Sequence, residues 1–167
     1  MAAPPARGRP ERIALIHAVY AAAWAGLALS AGAFPGVAIA LLVASLVAAA
    51  LAVPAVRRGG SPGDSATGRA ITRINVATAL VVVIAFVGAH VANADRWAVP
   101  LVLVVMGLHF LPLWRLPHRW SLLAMSGALL VAAALPLAGV PTATAALAAA
   151  GVFLANAVRL VMATRRR

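Results

Sequence analysis

The fold the sequence predicts is an all-α bundle of six transmembrane helices with both termini in the cytoplasm, and three observations predict it. The first is composition. Of 167 residues, 64% are hydrophobic and 10% charged, and the mean hydropathy is +1.00, whereas a soluble domain carries about 25% charged residues. The second is spacing: apolar runs recur along the chain, each near the roughly 20 residues a helix needs to cross the hydrocarbon. The third is charge placement. All 14 basic residues are arginine, and with six spans every one except Arg96 falls on the same side.

Taken in order, residues 1–12 (MAAPPARGRPER) are rich in proline and arginine and read as a disordered cytoplasmic leader. Residues 13–30 form the first run. Its arginine-rich approach and Ala31-Gly32-Ala33 end imitate a signal peptide. However, His17, Tyr20 and Trp24 follow i, i+3, i+7 and mark one stripe of a retained packing helix. The second span covers 34–56, entered by Phe34-Pro35-Gly36, with Pro54 near its end. Residues 57–69 (RRGGSPGDSATGR) are an exposed loop. Spans three to six cover 70–92, 97–116, 120–138 and 141–163. Trp97 and Trp114 are placed as interfacial anchors, and Pro141 stands at a favoured helix start. Residues 164–167 are a cytoplasmic tail, so 13–163 is a single membrane domain.

Arginine segregation sets the orientation. Arg7, Arg9 and Arg12, then Arg57, Arg58, Arg69 and Arg73, then Arg115 and Arg119, then Arg159, Arg165, Arg166 and Arg167 share one side. Arg96, offset by Asp95, has the other. Basic residues mark the cytoplasmic face, so both termini are expected inside. For a soluble protein the net charge of +11 would suggest nucleic acid. Here the charge lies at span ends, and the expected partners are the bilayer and its anionic headgroups, with no nucleic acid. Arg57, Arg58, Arg115, Arg119, Arg165, Arg166 and Arg167 are the candidate lipid contacts. The alanine–arginine bias fits a GC-rich bacterial coding habit and hence an inner-membrane location. The absence of cysteine removes disulfides, thiolate metal sites and thiol nucleophiles.

Polar groups inside the apolar runs are the site candidates. At about 1.5 Å per residue, His109 lies about 9 Å inside the boundary set by Arg115. Arg159 is equally deep relative to Arg165, with Asn156 one turn deeper on the same face. His17 and Asn75 join them in the inner half, while His90 belongs to the outer end. Pro112 cannot bond the carbonyl of Leu108, so that carbonyl and His109 could form a polar notch, either a kink supported by neighbours or a hinge. Two roles fit His109. It can bridge helices through Asn75, Asn156 or the Leu108 carbonyl, or it can respond to protons and bind an anion. Arg159 reads as a snorkelling side chain, with Glu11 a conceivable partner. Ser126-Gly127 and Gly151-x-x-x-Ala155 are small-residue notches suited to close helix contact.

Absences also restrict function. Glu11, Asp64 and Asp95 are the only acids, all at boundaries or in loops, which argues against a carboxylate proton relay. The four histidines lack metal-ligand spacing, and no nucleophile–base or phosphate-loop motif occurs. No enzyme, cofactor or metal is therefore expected. The halves 13–92 and 97–163 would have opposite topology, as in inverted-repeat transporters, yet they share no evident self-similarity.

At Gly107-Leu108-His109-Phe110-Leu111-Pro112-Leu113 the chain resembles uncharacterised bacterial multi-pass membrane proteins with a G-[LI]-H-F-x-P-L core. The likeness runs over about 72–130 and includes Arg73-Ile74-Asn75, Trp97, Pro100, Arg115 and Gly127. Trp114 stands where a small residue is expected, and Pro117-His118 is atypical. The resemblance implies no activity, but it does imply that Asn75 and His109 belong together. Two functional expectations follow. One is a membrane protein binding or passing a small or anionic solute through a cytoplasm-facing pocket of His109, Pro112, Asn75, Asn156, Arg159 and His17. The other is a non-catalytic scaffold or accessory subunit that holds anionic lipid, a second copy or a partner membrane protein.

Overall fold

The computed structural model describes residues 10–32, 34–58, 66–112 and 119–165, with backbone alone for 10–11, 55, 57–58, 66–72, 119 and 164–165. Six α-helices carry the chain: α1 Pro10–Ser30, α2 Pro35–Arg58, α3 Ala66–Val91, α4 Ala98–His109, α5 Arg119–Ala134 and α6 Thr142–Arg165. No strand occurs among the described residues. Five helices are long and apolar enough to cross a membrane, over Arg12–Ser30, Pro35–Pro54, Arg73–Val91, Trp120–Ala138 and Thr142–Ala163.

Local chemistry sets most of the ends. Pro10 and Pro35 open their helices, where the missing N–H is not needed. α1 closes at Gly32, whose φ of 73° suits a residue without Cβ, while Ser30 Oγ donates to the Leu27 carbonyl at 2.8 Å. α3 closes on Asn93 at φ 53°, a residue type that tolerates the left-handed region. There the Ala94 N–H bonds the Ala89 carbonyl at 2.7 Å. A 3₁₀ turn, Asp95–Trp97, then feeds α4. His90 and Asp95 pair across this turn at 3.0 Å, and Arg96 stacks 5.5 Å from the Trp97 ring centre.

The fourth span departs from expectation. The sequence predicts one helix over 97–116, but α4 ends at His109 after 12 residues. At 1.5 Å per residue that is about 18 Å, short of the roughly 30 Å hydrocarbon core. Pro112 is the physical reason. Its ring excludes the helical path past the Leu108 carbonyl, so the chain tightens one turn earlier. The Phe110 N–H bonds the Gly107 carbonyl at 3.3 Å and the Leu111 N–H takes the Leu108 carbonyl at 3.1 Å. α4 therefore ends ahead of Pro112, and the Leu108 carbonyl is satisfied. Residues 113–118, including Arg115 and the Pro117-His118 turn, lie outside the described residues.

Packing divides the bundle in two. α1 lies against α2 and α6, and α4 joins α3 to α5, with α5 also meeting α6. On α1, Ala14, Ala18, Ala21, Ala25 and Ala28 are each 0% exposed. Their 4-3-4-3 spacing is a single small-residue ridge that lets neighbouring backbones approach closely. α2 answers with Ala38, Ser45, Ala48 and Ala52, and α6 with Ala145, Ala149, Ala150 and Ala157. α3 is the outlier: 6% of its span is buried, against 50% for α6.

Close helix contact does not use the glycines singled out at 127 and 151. An added Cβ at either would meet nothing within 4 Å, whereas at Gly107 it would fall 2.9 Å from Leu130 Cγ and 3.3 Å from the Ser126 carbonyl oxygen. Gly107 is the notch through which α4 seats on α5. Ser126 is buried beside it, but Gly127 faces outward.

Candidate functional site

A chain of polar side chains runs inward between α5, α6 and α1. Phe153, Asn156, Ala157 and Leu160 share the buried face of α6, following helical spacing. Asn156 thereby points at His17, which stands in the alanine ridge of α1 and is 4% exposed. Asn156 Nδ2 and His17 Nδ1 are 2.7 Å apart. One turn on, Arg159 donates to Asn156 Oδ1 from Nε at 3.1 Å and from a terminal nitrogen at 2.9 Å. Its terminal nitrogen also donates to Ser121 Oγ of α5 at 2.9 Å.

The donor inventory settles the rest. Guanidinium only donates, so the oxygen of Asn156 faces Arg159 and its amide nitrogen faces His17. The His17 ring must then accept at Nδ1 and carry its proton on Nε2. Every link is satisfied, as a buried polar network requires.

Aromatic rings close the inner end. His17 lies 5.9 Å from Phe110 and 5.6 Å from Phe153. Phe110 and Phe153 are 6.3 Å apart, and Tyr20 packs 5.4 Å from Phe153. Phe110 also leans on His109 at 5.1 Å, which joins the second polar pair, His109 Nδ1 with Thr78 Oγ1 at 2.7 Å. The helix end enforced by Pro112 places Phe110 here.

No family model matches the chain, and neither does any curated protein or solved structure. The site rests on its own geometry.

Among the residues singled out from sequence, His17, Asn156 and Arg159 form one network, and His109 borders it through Phe110. Asn75 does not join them. It is exposed, and the bond expected of it is made by Thr78, one turn further along α3. The reason is register: with α4 ending at His109, its ring meets α3 a turn deeper than Asn75. Pro112 is exposed and shapes the site only by stopping α4. Arg159 is an anchored cation rather than a merely snorkelling one. Side chains are not described for Glu11, Arg57, Arg58, Arg119 and Arg165, and Arg115, Arg166 and Arg167 lie outside the described residues altogether.

Sequence reasoning missed Thr78, Ser121 and Phe153, and named Phe110 only as part of the motif around His109. One signal was present: Thr78 falls at i+3 from Asn75, on the same face. Chemically, the arrangement offers a cation held at an exposed mouth by two neutral acceptors, with a rigid neutral backing. Among the described residues no three His, Asp or Glu side chains gather to hold a metal.

Proposed function

We propose that this chain is a non-enzymatic integral membrane protein of the bacterial inner membrane, both termini cytoplasmic, that binds a small anion from the cytoplasmic side at Arg159. The observation that carries this reading is the fixed guanidinium. Arg159 is exposed yet held at three hydrogen bonds by Asn156 and Ser121. Those acceptors are neutral, and among the described residues no acidic side chain pairs with it. Asp95, the acid whose side chain is described, is engaged with His90. Preorganising a guanidinium removes entropy that binding would otherwise have to overcome, and its planar donors suit phosphate or carboxylate oxygens. Binding is favoured over passage because Phe110 and Phe153, 4% and 0% exposed, fill the space beyond His17.

The test uses inorganic phosphate as the probe, titrated onto protein in zwitterionic nanodiscs. Saturable binding is expected, weakened about 10- to 100-fold by Arg159→Gln, in line with about 1.5–3 kcal/mol for hydrogen bonds to a charged group. Absence of saturable binding, or an unchanged affinity in a variant with wild-type melting temperature, would sink the reading.

A further inference from the structure

Arg159 lies inside the apolar span Thr142–Ala163, about 9 Å short of Arg165 along α6. Its side chain does not reach back toward that end. The bonds to Asn156, one turn earlier, hold the guanidinium toward the middle of the helix, and the bond to Ser121 lays it across the seam between α5 and α6. We propose that the anion bound there is the phosphate of an anionic phospholipid of the adjacent leaflet, entering sideways from the bilayer. This inference rests on the reading of Arg159 as an anion site and names the source of the anion.

The surroundings favour a lipid. Ala155, Arg159 and Met162 follow i, i+4, i+7 on one face of α6, and all three are exposed. So are Val158 beside them and Trp120 and Ala124 on α5. Apart from the guanidinium, these side chains are apolar and suit acyl chains.

Charge favours it too. An intramembrane arginine ordinarily faces the bundle interior or a hydrated cavity and is paired there. Arg159 faces outward, and among the described residues no acidic side chain pairs with it. Free phosphate must shed water to come this deep, whereas a phospholipid carries its phosphate on ester arms that already rest in hydrocarbon.

The donors are arranged for such a guest. Nε and Nη2 give their N–H groups to Asn156 and Ser121. That leaves the N–H groups of Nη1 for an outside acceptor, and guanidinium to phosphate is among the stronger hydrogen bonds because both groups are charged.

The chain has no cysteine, so a single nitrobenzoxadiazole fluorophore can be attached at Met162→Cys, one turn from Arg159. The protein is placed in phosphatidylcholine nanodiscs with a minor fraction of lipid bearing a nitroxide on its acyl chain. Nitroxide-labelled phosphatidylglycerol is expected to quench the fluorophore several-fold more than the same fraction of labelled phosphatidylcholine. A fluorophore at Val43→Cys, exposed on α2, should show no such preference. Arg159→Gln should abolish the preference at 162, and inorganic phosphate should reduce it by competing for the same guanidinium. Equal quenching by the two lipids, or a preference that survives Arg159→Gln or saturating inorganic phosphate, overturns the lipid source. If inorganic phosphate still binds saturably in that case, Arg159 remains an anion site; if it does not, both readings fall. Should Arg159→Gln fail to assemble, Arg159→Lys takes its place, keeping the charge without the planar donors. It should lose most of the preference, and an undiminished one overturns the proposal.

Discussion

His17 and Asn156 show how a polar residue is kept inside hydrocarbon. Each supplies what the other lacks, and Arg159 fixes the orientation of the amide between them. Interhelical bonds of this kind contribute about 0.6 kcal/mol on average, so a small coupling is expected. In a double-mutant cycle, His17→Leu and Asn156→Leu should couple by about 0.6–1.7 kcal/mol, measured as unfolding free energy in detergent. Additivity of the two losses would show that the bond does not hold α1 to α6. These residues stood out in the sequence because an imidazole, an amide or a guanidinium inside an apolar run is costly and rare. Thr78 and Ser121 did not, because a hydroxyl in a helix can bond its own preceding carbonyl. Ser45 does so here, at 2.6 Å from the Leu41 oxygen. Phe153 was hidden for the opposite reason, being an apolar residue among many, and Phe110 was noted only for its place in the motif around His109.

Helix boundaries were legible where a proline wrote them. Pro35 and Pro141 both fall within a residue of the ends they were expected to mark. The fourth helix was misjudged because hydropathy counts residues, and Trp97 to Leu116 is apolar apart from His109 and Arg115. It does not register that a proline removes the turn before it. The small-residue notches were misjudged differently. Glycine is common here, and only three-dimensional register tells Gly107, pressed on Leu130, from Gly127 with open space. The contrast is measurable. Gly107→Ala should lower stability by about 1–3 kcal/mol through overpacking, whereas Gly127→Ala should be neutral or stabilising by up to about 1 kcal/mol through helix propensity. Equal melting temperatures for the two variants would contradict the α4–α5 contact.

For the molecule as a whole, membrane residence was legible from composition and the six helices from their apolar runs. The neighbour relations were not. Nothing along the chain says that α1 lies on α6, because alanine ridges on several helices are interchangeable to a reader of sequence. Orientation is tested most simply on the cysteine-free chain. With both termini cytoplasmic, Arg58→Cys should react only from the cytoplasmic side and Asp95→Cys only from the outside, using a membrane-impermeant maleimide. Labelling of both from one side would mean that α3 does not cross.

The alanine ridge has a thermodynamic corollary. A methyl side chain has no rotamers to lose, so bringing α1, α2 and α6 together freezes almost no side-chain torsions. Interfaces built from leucine or methionine forfeit part of their contact energy to such freezing. This trio keeps what its many short-range dispersion contacts supply, giving His17 and Asn156 a stiff mount made from the least elaborate side chain that carries a Cβ.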